Sequence, residues 1–485
     1  MAWRKLDAVW TKCLVGFLDA GVKSPALRQM ALRKAEQSLY HHFVILNPGN
    51  SPRRCQEDKF QLVSNMFGAI DRALTSGRIS RPVRHALLRI LVGKVLMGEK
   101  TRHALFVEKY GFAPPGFVTI SPAKQCNLYC EGCYAGSTTA KVNLDYDIVN
   151  RVVNETRQSW GSHFVVISGG EPLMWHSRGK GIMDLLEENP DTYFMMYTNA
   201  TLIDEKMAAR MAQTGNVTPA ISVEGFEAET DRRRGKGVFG RILNAMENLR
   251  EARVPFGISA TATRENAELL VSDRFVDFYF EEQGAIYGWI FQYMPIGRSY
   301  TLERMITPEQ RLMMYQREQA LVYERKLFLA DFWNSGPVAN GCIAAARPGG
   351  YLYIDWNGKV SPCVFFPYST HNIVEVYEAG GDLNTVITSP FFEAIRKWQR
   401  GYGYGQPPER VQNEITPCAI RDHYRVARGV VKRFAAKPID EDAAEAIRDE
   451  RYFQELVAYG EKVNELTSPI WEAEYVGPER RRVAA

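Results

Sequence analysis

The sequence predicts a mixed α/β chain: alternating strands and helices lie between a helical N-terminal domain and a smaller C-terminal region built on a β-hairpin. Three observations predict it. Helix-start signals with one-sided apolar spacing precede residue 110, six strand-like runs alternate with amphipathic segments after residue 115, and a strand, an Asn-Gly turn and a second strand follow residue 330. At 485 residues the chain has the length for two or three domains. No uninterrupted apolar run is long enough to cross a bilayer, and the start, MAWRKLDAVWTKCLVGFLDAG, lacks a signal-peptide cleavage site, so the expected compartment is the cytoplasm.

In the first domain, expected over 1–112, Ser24-Pro25 reads as an N-cap with proline in the first helical turn. Leu27, Ala31, Ala35, Leu39 and Phe43 then share one face, and Ser80 to Gly98 gives another helix with Pro82 near its start. Cys13 falls in a helical stretch and Cys55 in a polar loop, SPRRCQED; both read as ordinary thiols. Residues 1–110 carry a net charge of +11 and the rest of the chain −7, so the overall +4 hides a basic arm. Basic helices beside apolar stretches such as VRHALLRILVGKVLM suit an anionic membrane surface or a phosphorylated ligand, and equally a solvated helical cap. Peripheral membrane contact is therefore expected here, and nucleic acid is not, because no nucleic-acid module is present.

Candidate strands are Phe117–Ile120, Phe164–Ser168, Tyr193–Thr198, Pro219–Val223, Phe256–Thr261 and Tyr287–Tyr293. The amphipathic segments Asp145–Gln158, Ile203–Gln213 and Gly240–Ala252 supply crossover helices long enough for right-handed parallel connections.

Chemistry enters with Cys126, Cys130 and Cys133, a C-x3-C-x2-C triplet directly after the first strand. A [4Fe–4S] cluster is normally held by four thiolates, so three leave one iron open. The triplet by itself is also compatible with zinc, although structural zinc prefers four-ligand sites built from C-x2-C pairs, and no second pair occurs in the chain. Eight cysteines in a chain of this size without a secretion signal point to metal or catalysis in a reducing setting rather than to disulfides.

Further segments follow in order: SGGEPL at 168–173, YTNATLI at 197–203, ISVEGFEAETDRRRG at 221–235 and MPIGR at 294–298. With the triplet, this series resembles the radical S-adenosylmethionine (radical SAM) superfamily. The resemblance implies that the six βα units, expected over 113–328, close into a partial (β/α)6 TIM-like barrel with the cysteine loop at its carboxyl-end face. It implies a [4Fe–4S] cluster on Cys126, Cys130 and Cys133 whose open iron chelates S-adenosylmethionine. It further implies cofactor contacts from Gly169, Gly170, Glu171 and Pro172, from Asn199 of the T-N-G-like segment with Ala200 in the glycine place, and from Ser222 and Glu224. The residue before the third cysteine is often aromatic in the family; here it is Gly132, and Tyr134 is the candidate for the adenine contact.

Beyond residue 330, GCIAAARPGGYLYIDWNGKVSPCVFF (341–366) puts Cys342 and Cys363 on either side of a hairpin turning at Asn357-Gly358, and EITPCAIRDHY adds Cys418. This resembles the auxiliary iron–sulfur domains called SPASM or twitch, expected over 329–435. The resemblance implies a second cluster on Cys342, Cys363 and Cys418, open or completed by Asp422 or His423. The alternative is three buried ordinary thiols. Residues 436–485 read as an acidic helical cap in which Tyr452, Leu456 and Tyr459 pack back on the barrel, with a loose tail from Pro478 carrying Arg480–Arg482.

The activity implied is reductive cleavage of S-adenosylmethionine to methionine and a 5′-deoxyadenosyl radical, which abstracts hydrogen from an unactivated C–H. The electron comes from a low-potential donor such as flavodoxin or ferredoxin. The expected substrate is a lipid or other small molecule, since the N-terminal region does not read as a winged-helix peptide-recognition domain. The rivals are peptide or protein maturation and, from another class, a non-catalytic two-cluster electron-transfer protein.

Overall fold

In the computed structural model residues 24–96 and 100–477 are described, so the expectations on Cys13 and on the Arg480–Arg482 tail lie outside the described residues. Helices fill the described chain ahead of the first strand. Ser24 caps Pro25–Tyr40, its hydroxyl accepting from the Leu27 amide, and Ser80 caps Arg81–Ala86, which runs on as a wider π-wound segment over Leu87–Leu96. Cys55 departs from its loop expectation: it sits in the first turn of the helix Arg53–Thr75, fully buried, with Sγ 3.6 Å from Glu414 Oε2. Extended Pro52 launches that helix, and its apolar face lies beyond the polar SPRRCQED that suggested a loop.

The core is one ten-stranded sheet. Its strands are β1 Phe117–Ile120, β2 Phe164–Ile167, β3 Tyr193–Thr198, β4 Val217–Val223, β5 Gly257–Ala262, β6 Gly288–Gln292, β7 Leu329–Asp331, β8 Tyr351–Ile354, β9 Lys359–Ser361 and β10 His371–Asn372. Their order is β10-β9-β8-β1-β2-β3-β4-β5-β6-β7, parallel from β8 through β1 to β7. The sheet curls until Phe332, just past β7, comes within 6.4 Å of the Tyr351 ring on β8. It is a partial TIM-like barrel. The crossover helix Tyr146–Trp160 shows why the units form: Asp145 caps its start, Gly161 in the left-handed region ends it, and Val149, Val152, Val153 and Trp160 bury one face at helical spacing.

Two features lay outside the sequence expectation. A seventh parallel strand, β7, extends the barrel, and β8 of the hairpin pairs in parallel with β1, Phe117 opposite Tyr351 through Ile120 opposite Ile354. The hairpin following residue 350 thus continues the barrel sheet. The helix Glu450–Ile470 packs back on the barrel: Leu456 is fully buried, Tyr452 Oη donates to the Pro295 carbonyl, and Tyr459 Oη meets the Arg421 guanidinium.

Candidate active site

The loop after β1 carries Cys126, Cys130 and Cys133 along the wall of a cavity of about 350 Å³ inside the barrel. Its backbone is pinned from both sides. The Cys126 amide donates to the Thr138 carbonyl, and the Gly136 and Arg298 amides donate to the Cys133 carbonyl. Gly132 takes φ +60°, and a Cβ there would stand 2.5 Å from the Tyr293 ring, so the place where an aromatic was looked for is filled from the end of β6.

SGGEPL is adjacent, but its parts divide the work differently from the expectation. Gly169 and Gly170 line the cavity. A Cβ on Gly170 would lie 2.1 Å from the Gln125 carbonyl, so the pair admits the cysteine loop's own backbone; the Gly170 and Glu171 amides donate to the Ala123 and Gln125 carbonyls. Glu171 and Pro172 are not among the lining residues. The fully buried Glu171 carboxylate accepts from Thr198 Oγ1 (2.7 Å), the Asn199 amide (2.8 Å) and the Leu173 amide (3.2 Å), and burial raises it to about 7. It braces the 198–199 turn from behind. Asn199 faces the cavity, with Nδ2 at 2.9 Å from Asn127 Oδ1 and 3.6 Å from Cys126 Sγ, and Ala200 adopts φ +63° in the glycine place. Tyr134 also lines the cavity, its hydroxyl 2.5 Å from Ser168 Oγ and accepting from the Gly169 amide.

Ser222 faces the cavity; Glu224 does not. The Glu224 carboxylate is buried and ion-paired with Arg233 and Arg234, and these two guanidinium groups line the cavity instead. The sequence reading missed both arginines, although the run RRRG closing an acidic helix, Glu227–Arg234, was the available signal. Their electrostatics reach the cysteines: burial raises the Cys130 thiol while Arg234 and Arg233 pull it back down, and burial pushes Cys126 up to about 12. Thiols held this way stay protonated until metal displaces the proton.

The second set also shares a cavity. Cys342, Cys363 and Cys418 line one of about 50 Å³, and Phe332 and Ile343 form a wall common to both cavities. Asp422 and His423 are not brought to it. Asp422 gives both carboxylate oxygens to the fully buried Arg311 and accepts from the Cys418 amide, while His423 Nε2 lies 2.9 Å from the Thr416 carbonyl with its ring against Trp398 and Tyr402. The expectation of Asp422 as a ligand fails on this geometry, because its charge is already matched.

Among the described residues no three Cys, His, Asp or Glu side chains are grouped to hold one metal ion. An iron–sulfur cluster asks for something different, thiolates on separate irons around a shared space, and both cysteine sets wall such a space. The first cavity also exposes unmatched polarity. Ser137 Oγ, Gln292 Oε1 and Trp289 Nε1 belong to lining residues and are buried without a partner. Buried polar atoms are costly unless bonded. With the arginine pair, they suit a ligand carrying both charge and hydrogen-bonding groups, as S-adenosylmethionine does.

Residues 120–268, the segment holding this loop and the ends of β1 to β5, match the family model described as the radical SAM superfamily. The chain carries a radical SAM domain over these residues. Curated relatives include the AdoMet-dependent heme synthase of Methanosarcina barkeri, 25% identical over 282 residues that cover 52% of this chain and 77% of that one. The mycofactocin maturase MftC of Mycolicibacterium smegmatis is 26% identical over 347 residues, covering 68% and 82%. Among solved structures, Streptococcus suis SuiB bound to the precursor peptide SuiA superposes with a TM-score of 0.50 at 20% identity, over 61% of this chain and 70% of that one. The synthase and the maturase are named as enzymes, which speaks against the electron-carrier alternative, and none of the three is named for a lipid. The cofactors of this radical SAM enzyme are a [4Fe–4S] cluster and S-adenosylmethionine. Among the described residues, no helix is long and apolar enough to cross a membrane.

Proposed function

We propose that this radical SAM enzyme takes hydrogen from a C–H bond of an apolar group, carried on a peptide, that enters the barrel cavity beside Cys126, Cys130 and Cys133. One observation carries the reading: a single cavity is lined both by three cysteines and two arginines and by Phe117, Phe164, Met195, Trp289 and Phe291. When bound, the cluster and S-adenosylmethionine supply a 5′-deoxyadenosyl radical able to abstract hydrogen from unactivated carbon. The protein's own residues bind and orient. Arg233 and Arg234, sharing the Glu224 carboxylate, keep one net positive charge for the carboxylate of the methionine moiety. Asn199, Ser222 and Gly169 line the same cavity, and the aromatic walls exclude water from the radical and hold the substrate carbon in reach. Cys342, Cys363 and Cys418 hold a second cluster in the adjoining cavity, and a low-potential donor supplies the electron. Peptide is favoured over other carriers because MftC is named a maturase and SuiB was solved with a precursor peptide.

A lipid carrier is the second reading, and a specific observation favours it. Leu27, Met30, Ile45, Leu46, Leu105 and Val107 are exposed on helices of the basic N-terminal region, as on segments that rest on anionic bilayers.

The test is 5′-deoxyadenosine formation by anaerobically reconstituted, reduced protein given S-adenosylmethionine with a low-mass peptide extract or a lipid extract of the host. Stimulation by peptide alone supports the first reading, and stimulation by lipid alone replaces it with the second. Replacing Arg234 by Ala weakens S-adenosylmethionine binding about 10- to 100-fold at unchanged iron content. Unchanged affinity removes the arginines from the cofactor site.

A further inference from the structure

Tyr351 links the larger cavity to the second cysteine set. Its ring lines the larger one, and its hydroxyl reaches through the shared wall to stand 2.9 Å from Cys363 Sγ in the smaller. The ring is fixed from two sides, stacked on Phe117 at 5.0 Å and edge-on to Phe332 at 6.4 Å. The register that pairs Tyr351 with Phe117 across β8 and β1 sets the stack, so the barrel sheet itself aims the hydroxyl.

The hydrogen bonds around the oxygen fix its direction. The Val364 amide donates to Tyr351 Oη at 3.3 Å, which occupies a lone pair and leaves the hydroxyl proton for the sulfur. A metal-bound thiolate has no proton of its own, so in the loaded site the tyrosine must be the donor. Cys363 Sγ also accepts from the Phe365 amide at 3.4 Å.

We propose that Tyr351 is a positioning residue that raises the reduction potential of an iron–sulfur cluster on Cys342, Cys363 and Cys418 by donating its hydroxyl proton to Cys363 Sγ from across the wall of the radical cavity. The proposal rests on the reading that those cysteines hold a cluster. Reduction adds one negative charge to the cluster, and part of it falls on the thiolate sulfurs. A donor aimed at a sulfur therefore stabilises the reduced form more than the oxidised form, and hydrogen bonds to the sulfurs are among the factors that set cluster potentials. Burial strengthens the effect because no water competes for the sulfur. With this geometry, the second site is tuned by a residue that also lines the radical cavity.

The experiment uses full-length protein with Cys126, Cys130 and Cys133 all changed to Ala, so that only the second cluster titrates. Iron is counted and the potential measured by an EPR-monitored redox titration, with Tyr351 intact and with Tyr351→Phe. Phe keeps the ring, its stack on Phe117 and the cavity wall. The expected result is equal iron and a reduction equilibrium about tenfold less favourable in Tyr351→Phe, a fall of ~59 mV for a one-electron couple. Difluorotyrosine at 351, a stronger donor of the same shape, moves the potential the other way. An unchanged potential at equal iron overturns the role given to Tyr351, and loss of iron in Tyr351→Phe makes the residue a requirement for cluster retention, which also overturns it. Absence of iron with Tyr351 intact overturns the underlying cluster reading, and the iron count alone separates that failure from the others.

Discussion

The two cysteine sets reach similar ends by opposite routes. Cys126, Cys130 and Cys133 sit in one loop whose place is set by the end of β1 and by backbone bonds to the neighbouring strand ends. Cys342, Cys363 and Cys418 are far apart in the chain and meet only because β8 joins the barrel sheet and the 414–424 segment folds back over it. The first set opens onto about 350 Å³ with two guanidinium groups on its wall, whereas the second encloses about 50 Å³ walled largely by apolar side chains such as Trp333, Phe366 and Ile395. A loop motif can therefore present an open coordination position to a cosubstrate. A site assembled from distant segments is closed by the packing that assembles it, which suits electron storage better than substrate binding.

The largest effect that sharpens this contrast comes from the loop. Replacing any one of Cys126, Cys130 or Cys133 by Ala abolishes S-adenosylmethionine cleavage in the 5′-deoxyadenosine assay, while iron at the second set persists. Iron falling to zero in the variant lacking all three would erase the distinction between the sets.

The second set is broken through packing instead. Asp422 and Arg311 form an ion pair with both side chains fully buried. Removing one member of such a pair leaves an uncompensated charge at a cost of about 3–5 kcal/mol. Asp422→Asn therefore lowers the denaturation midpoint strongly and leaves the iron content of the folded fraction unchanged, whereas Cys418→Ala loses iron. Equal iron loss in both variants would return Asp422 to the ligand list.

How much of this was legible followed the same division. The six strands β1 to β6 could be read because each is a short apolar run bounded by turns and helical segments, and the cysteine loop because its spacing is local. The place of Gly169 and Gly170 was legible, but their task was not: what they make room for is the carbonyl of Gln125, a tertiary neighbour. Glu224 illustrates the limit. Sequence can put a carboxylate at the end of β4, but only the helix Glu227–Arg234 returning beneath it decides that Arg233 and Arg234 consume its charge and face the cavity. At three residues β7 is too short to announce itself, and the pairing of β8 with β1 joins segments more than two hundred residues apart.

The smallest effect concerns the buried acid behind each site. Glu171, behind the first set, accepts three hydrogen bonds, so its ionised form is partly compensated. Glu414, fully enclosed beside Cys55 near the second, is pushed up to about 8, chiefly by desolvation, with Arg347 and Lys59 opposing the shift. A carboxyl whose folded value lies above its ordinary 4.5 binds its proton more tightly in the folded state. That contribution is fully present below about pH 4.5 and is lost as pH rises through about 8. Glu414→Gln removes the titrating group but also its attraction for Lys59 and Arg347, so the net gain near pH 8 is about 1–2 kcal/mol. The variant should melt higher than the parent at pH 8, and the difference should shrink to nothing or reverse by pH 4.5. A gap that does not vary with pH would mean that Glu414 titrates as it does in the unfolded chain. The second site would then be as well compensated as the first, and the contrast between an open loop site and a packed one would lose its electrostatic half.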